Sequence, residues 1–305
     1  MTFRHVHFWP FDYLVIGYCL LMSLLVLAIG RPLEVYADEL VFYSSMAAIA
    51  VLVVRYVGEP QTGWRRFIRL FYPALMLTFF YRATGGTIFL LFDRFFDYQV
   101  VAFEQSVLGV EPSLVLDRQY LSPFWNELFS ASYFSYYLMI PTLLLVLYLR
   151  RQDDLIRRFL TTCCCAFFVS YLLFFIYPIE GPRYHFAGQY LHPVEGPFFR
   201  QIVNLAIDKG AVHGGCMPSS HVAVAIVVLA YTFKASRRAG WMLLPVVVGL
   251  VIGTVWGRFH YVTDVVVGAA IGIGSVRLID RRYLHWLTSK KVAVTYQSMG
   301  VEHVS

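Results

Sequence analysis

The chain has 305 residues, of which 58% are apolar and only 14% charged, against roughly 45–50% and 25% in soluble globular proteins. That balance, a mean hydropathy of +0.61, and 6 Trp, 21 Tyr and 26 Phe exclude both a water-soluble domain and a disordered one. The 25 basic and 19 acidic residues leave a net charge of +6. Cytoplasmic loops of membrane proteins collect Lys and Arg, so this excess calls for no nucleic-acid partner.

Apolar runs near the length needed to cross a bilayer recur along the chain. They predict an all-α, polytopic membrane helix bundle with eight spans near 11–30, 40–57, 67–87, 130–149, 159–177, 219–236, 241–257 and 261–279. The first run is too long for a signal-peptide core and no small-residue cleavage site follows it, so it is expected to stay as a span. The third is interrupted by Arg82, Gly85 and Gly86. An arginine at that depth is costly unless it faces a wet or protein-lined cavity. Arg82 is therefore expected either to line a substrate cavity or to pair with Asp93 or Asp97. In 88–129, Phe96, Val100, Phe103 and Val107 recur at helical spacing with Asp97 and Glu104 among them. That pattern predicts an amphipathic helix at the membrane interface, either packed passively on the bundle or forming a lid. Cys19 and the Cys163, Cys164 and Cys165 run lie inside apolar segments and read as packing residues; only Cys216 lies in a polar loop, and no disulfide framework is implied.

Eight crossings put both termini on one side. Most basic residues then fall on that side: Arg4, Arg55, Arg65, Arg66 and Arg69; Arg150, Arg151, Arg157 and Arg158; Lys234, Arg237 and Arg238; and Arg277, Arg281, Arg282, Lys290 and Lys291. The basic side is expected to be cytoplasmic. Loops 88–129 and 178–218 would then face the periplasm, cell exterior or an organelle lumen. No linker divides the chain, so 1–305 reads as one integral membrane domain, with a cytoplasmic tail at 280–305.

Three polar stretches fall on the outward side: Tyr177 to Tyr184, Gly214 to His221, and Gly257 to Asp264. Pro218-Ser219-Ser220-His221 reads as a capped helix start, whose free N–H groups and dipole attract phosphate. His221 in the first turn can pass a proton to an oxygen bound there, or be an incidental interfacial histidine. His260 and Asp264, four apart, share a helix face. A carboxylate on one imidazole nitrogen fixes the tautomer and raises the basicity of the other, suiting a nucleophile or base, although the same pair also serves packing alone. Asp264 lies a turn into an apolar span, where ionisable residues are expensive and usually functional. Arg183 and Arg258 add two planar guanidinium forks suited to phosphate oxygens. The set points to phosphoryl transfer. His221, His260, Asp264 and Cys216 also offer metal ligands, but no H-E-x-x-H or C-x-x-C spacing appears, so no metal is expected. His185, His192 and His213 read as surface or interfacial residues.

The second and third stretches resemble the type 2 phosphatidic acid phosphatase superfamily, whose motifs carry Lys and Arg-Pro, then P-S-G-H, then S-R-x5-H-x3-D. Pro218-Ser219-Ser220-His221 matches the second, with Ser for Gly, and His260 with Asp264 matches the His-x3-Asp half of the third. The resemblance covers roughly 67–279, implying a six-helix catalytic core there and a two-helix extension at 1–60. The chain departs from the pattern at Ile176, where the first motif has Lys, at Tyr184, where Pro follows Arg, and at Gly253 and Thr254, where Ser-Arg is expected. Arg258 supplies an arginine instead, a pattern similar to the branch with fungal inositol phosphorylceramide synthases and related bacterial proteins. The resemblance implies a lipid phosphate substrate and a mechanism without metal or other cofactor. His260 would be the nucleophile held by Asp264, and His221 the acid and then the base. Arg258, Arg183, Ser219 and Ser220 would bind phosphate. Water as acceptor makes a lipid phosphatase; an alcohol such as inositol or a lipid hydroxyl makes a phosphotransferase. A non-enzymatic membrane protein that keeps the fold is the third possibility.

Overall fold

The computed structural model describes residues 7–29, 33–60 and 62–298, with side chains as far as Tyr283. Arg4 and the tail after 298 lie outside the described residues, as do the side chains of Lys290 and Lys291. The described chain is all-helical, and six helices are long and apolar enough to cross a bilayer, which makes the protein an integral membrane protein. They are α1 (Pro10–Ala28), α2 (Ala37–Leu52, continued by a π-turn to Val57), α6 with α7 (Pro123–Phe134 and Tyr136–Leu149), α8 (Asp153–Ile176), α12 (Arg237–Trp256) and the part of α13 (Val262–Ser298) up to Tyr283. Two expected spans do not meet that standard. α3 (Gly63–Thr87) is one continuous helix through Pro73, Gly85 and Gly86 but carries Arg65, Arg66, Arg69 and Arg82, and α11 (Ser220–Ala235) has only 16 residues. Length and composition therefore support six crossings and leave these two helices to be placed by packing.

α8 is the most enclosed of the six and packs against α1, α3, α7, α11 and α13. Its Phe168 stacks on Tyr18 of α1 with ring centroids 4.3 Å apart, and both rings meet Phe80 of α3 edge-on. The first helices thus share the core of the rest. A buried ion pair fastens them: Arg69 of α3 donates to both oxygens of Asp12 in α1, at 2.9 and 2.5 Å, and Tyr72 adds a third bond to the same carboxylate. At the same ends of the helices Arg66 meets Asp153, Arg157 meets Glu59, and Arg158 and Lys234 share Asp280.

Between α3 and α6 the chain forms α4 (Asp97–Leu108) and α5 (Pro112–Gln119). The expected amphipathic helix exists, and its apolar stripe is divided, with Phe96 and Val100 buried against the bundle. Phe103 and Val107 are exposed, while Asp97, Val100 and Glu104, at the same helical spacing, point inward. The polar residues win that face because backbone N–H groups await them. Asp97 accepts from Glu180 and Gly181 at 2.8 Å each and from the Tyr261 hydroxyl at 2.9 Å. Glu104 accepts from the Thr263 amide at 2.5 Å. Asp97 is thereby committed to the loop after α8, away from Arg82.

α11 and α13 lie close because α13 presents glycines to α11. A Cβ on Gly268 would overlap the Ser219 carbonyl, and one on Gly272 would overlap that of Ala223. Gly253 of α12 plays the same part against the Phe129 carbonyl of α6, 2.7 Å from where a Cβ would sit, which accounts for glycine at this departure from the family motif. Gly268→Val should destabilise the protein by about 1–3 kcal/mol, the usual cost of overpacking. Gly274→Ala, with open space around its Cβ, should leave thermal unfolding in detergent unchanged or raise it by up to about 1 kcal/mol.

Candidate active site

The three polar stretches meet at one end of the bundle. The loop after α8 pairs with the loop before α11 through Ile179 and Gly215, and the Ser219 amide donates to the Asp264 carbonyl at 3.0 Å. Ser219 is the N-cap of α11, its hydroxyl accepting from the Val222 amide. The cap leaves the Ser220 and His221 amides free of backbone partners among the described residues. α12 ends at Trp256; Arg258 takes a left-handed conformation (φ +64°), and the turn closes when the Phe259 and His260 amides both donate to the Thr254 carbonyl. That turn delivers His260 just ahead of α13.

His221 and His260 face each other with ring centroids 5.8 Å apart and planes inclined at 57°. The Tyr133 hydroxyl lies 3.1 Å from His221 Nε2, and Tyr136 packs on the same ring at 4.4 Å. His221 Nδ1 is buried without a partner among the described residues. Asp264 is fully buried. Its Oδ2 accepts from the Tyr261 amide at 2.9 Å and the Cys216 thiol at 3.0 Å and lies 3.5 Å from His260 Nδ1. Its Oδ1 has no partner among the described residues. The orienting contact expected of Asp264 is therefore present at long range and shared with a cysteine. Burial and the adjacent carboxylate push the Cys216 thiol well above its usual range, so it serves Asp264 as a neutral donor.

Both imidazoles line a cavity of about 770 Å³ that runs between α3 and α7 over α8. At its polar end lie Arg82, Glu180 and Arg183; its walls, from Phe67 to Tyr81 on α3 and from Tyr133 to Leu144 opposite, are almost wholly apolar or aromatic. From Phe67 to Tyr81 this wall of α3 is about 21 Å long at 1.5 Å per residue. Of the two readings of Arg82, the structure realises cavity lining; no ion pair with Asp93 or Asp97 forms among the described residues.

The expected phosphate ligands separate. Ser220 and Arg183 line the cavity. Arg183 donates to Asp208 at 2.8 Å through one nitrogen, while its Nη1 is buried and unpartnered. Ser219 is behind the wall as a cap. Arg258 points elsewhere: it donates to Asp117 and to the His192 carbonyl, each at 2.6 Å, and stacks 3.8 Å from the Tyr190 ring. Asp117 is fully buried and needs a cation, which explains the capture. His213 contacts Glu180 at 2.8 Å, and His192 is held to Asp117.

Two residues carried no signal in the sequence. Tyr133 looked like any tyrosine of an apolar run. Arg200, on α10 (Phe199–Gly210), is 6% exposed, forms no ion pair among the described residues, and lies over the Phe259 ring at 5.2 Å. Burial and the neighbouring Arg183 and Arg258 lower its pKa to about 10. Phe259 lines the cavity, so this unpaired guanidinium lies one side chain behind the cavity wall.

These features define a helical membrane protein with a paired-histidine site at the polar end of an apolar cavity. The chain belongs to the PAP2 superfamily, whose family model matches residues 99–278. Membership points to phosphatase-type lipid phosphoesterase activity. No curated protein and no solved structure matches the chain.

Around Asp264 lie two further buried carboxyls, Glu104 and Glu111, each with one unpartnered oxygen. Burial, and then the charges of Glu104 and Asp264, push Glu111 up to about 7 from 4.5. A raised carboxyl costs nothing while protonated and destabilises the fold increasingly between pH 4.5 and 7. Glu111→Gln should therefore melt like the wild type at pH 4.5 and higher than it at pH 8, by on the order of 3 kcal/mol.

Proposed function

We propose that this protein is a membrane lipid phosphatase that cleaves a phosphate ester through a phosphohistidine. The observation that carries this reading is the pair of imidazoles facing each other across 5.8 Å at the polar end of an apolar cavity. A phosphorylated headgroup would sit between the rings with its acyl or prenyl chain along α3. His260 Nε2 attacks phosphorus while the Asp264 carboxylate, tightening from 3.5 Å, holds the proton on Nδ1. His221 protonates the leaving oxygen and then takes a proton from the attacking water. Tyr133 fixes the His221 ring through Nε2, which assigns that proton traffic to Nδ1. The free amides at the start of α11, the Ser220 hydroxyl and Arg183 hold the equatorial oxygens, with Arg200 adding unpaired positive charge one side chain away. Arg258 serves to position the turn that carries His260. Because the basic residues gather at the opposite helix ends, the active site faces the periplasmic, extracellular or luminal side and the termini face the cytoplasm.

Water is the acceptor in this reading, and the branch resemblance keeps transfer to an alcohol as the alternative. Purified protein incubated with phosphatidic acid or polyprenyl pyrophosphate should release free phosphate, and phosphatidylinositol, with and without added inositol or ceramide, tests for head-group transfer. A new lipid species that requires the added alcohol would assign the transferase instead. His260→Ala and His221→Ala should each lower turnover by about 10³-fold or more; activity equal to wild type in both would overturn the assignment.

The arginines divide by a second measurement. Arg258→Ala strands the buried Asp117 and should cost about 3–5 kcal/mol of stability. Arg200→Ala removes an unpaired buried charge, so it should leave melting unchanged or raise it while lowering phosphate release by roughly 10–100-fold.

A further inference from the structure

Cys216 is the residue at the site that the phosphatase chemistry uses only as a hydrogen-bond donor to Asp264. It is 6% exposed, it lines the cavity beside His260, and its place is enforced: Gly181, at φ +100°, would carry any Cβ to within 2.8 Å of the sulfur. Sγ, His260 Nδ1 and Asp264 Oδ2 form a triangle with edges of 3.5 Å (S to N), 3.0 Å (S to O) and 3.5 Å (N to O). Tetrahedral zinc, with bonds of about 2.3 Å to sulfur, 2.05 Å to nitrogen and 2.0 Å to oxygen, requires edges of about 3.6, 3.5 and 3.3 Å. Two edges fit within about 0.2 Å, and the third needs the sulfur to withdraw by about 0.5 Å. Thiolate, imidazole and carboxylate are all ligands that zinc takes in proteins, the first two by preference. Cys216 and His260 both border the cavity, which supplies an entry path and room for a fourth ligand. Asp264 Oδ1 is fully enclosed and unpartnered, a second carboxylate oxygen with nothing to hold.

We propose that Cys216 Sγ, His260 Nδ1 and Asp264 Oδ2 form a zinc(II) site whose occupation switches the phosphatase off. Binding replaces the thiol proton, which leaves to solvent, with a sulfur–zinc bond, and the imidazole proton moves from Nδ1 to Nε2 as Nδ1 binds the ion; no electron is transferred. The ion takes the nitrogen through which Asp264 would orient His260, and it draws electron density from the ring that must attack phosphorus. Occupation therefore opposes the reaction. The metal site stands independently of the phosphatase reading, whereas the inhibitory consequence rests on it.

The test uses the full chain in detergent, freed of metal, with Co²⁺ as a spectroscopic substitute for Zn²⁺. One equivalent of Co²⁺ should produce a thiolate-to-cobalt charge-transfer band, and Zn²⁺ should displace it. Cys216→Ser should abolish the band and weaken Zn²⁺ binding at least 10-fold, whereas Cys165→Ser should retain both. Zn²⁺ should also raise the melting temperature of the wild type, a readout that needs no variant to fold. Absence of a thiolate band in the wild type, or its persistence in Cys216→Ser, overturns the site. In the activity arm, Zn²⁺ should suppress lipid phosphate release at least 10-fold, with full recovery on adding a chelator. Unchanged or increased turnover at saturating Zn²⁺ overturns the inhibitory role. A cobalt band in a protein that hydrolyses no lipid phosphate would sink the phosphatase reading and leave the metal site standing.

Discussion

The joint between the start of α11 and the start of α13 is the contact on which the site depends. Glycines at 268 and 272 let two backbones approach until side chains no longer separate them, and the Ser219 amide reaches the Asp264 carbonyl at 3.0 Å. One end of that joint carries His221, two residues beyond the Ser219 cap, and the other carries His260 and Asp264. The separation of the two backbones that carry the imidazoles is thus set by main chain against main chain. Rigid secondary structure is where a site that needs sub-ångström placement is best built.

Around this joint the loops are held by carboxylates that accept from backbone amides. Asp97 clamps the turn after α8 and the Tyr261 hydroxyl, Glu104 holds Thr263, and Asp117 gathers Leu191, His192 and Arg258. Each buries a charge at a cost that several hydrogen bonds offset together. α4 and α5 are in that sense scaffolding for the loops over the site: their acidic residues fix where the segments 177–184 and 258–264 run.

Much of the architecture was legible in the residues because it rests on local rules. Hydropathy located α1, α2, α8, α12 and α13, the serine before His221 gave the start of α11, and the spacing of four put His260 and Asp264 on one face. Where the sequence was silent or misled, a longer-range partner decided. The stripe Phe96, Val100, Phe103 and Val107 marked α4 as amphipathic without saying which residues meet the bundle; the amides of Glu180, Gly181 and Thr263 draw Asp97 and Glu104 inward, and Phe103 and Val107 are left exposed. Arg258 lies two residues from the nucleophile candidate, but Asp117, more than a hundred residues earlier, claims it. Tyr133 and Arg200 acquire meaning only through what surrounds them, and no periodicity encodes that. α3 and α11 were read as spans from run length, and their charge and shortness set them apart from the other six.

The bond between Asp12 and Arg69 has a bearing on how the chain enters the bilayer. During synthesis the first helix must be inserted with its carboxylate uncompensated until the third emerges, and the two charges cancel only when those helices meet, so the early part of the polypeptide is committed to assembling as a unit. The region matching the family model begins only at residue 99, yet a fragment cut after the second helix would leave the Arg69 guanidinium without either Asp12 oxygen and with only the longer 3.8 Å contact to Glu59. The leading pair of helices is therefore no detachable appendage: without it the rest of the bundle loses the bidentate partner of a buried guanidinium.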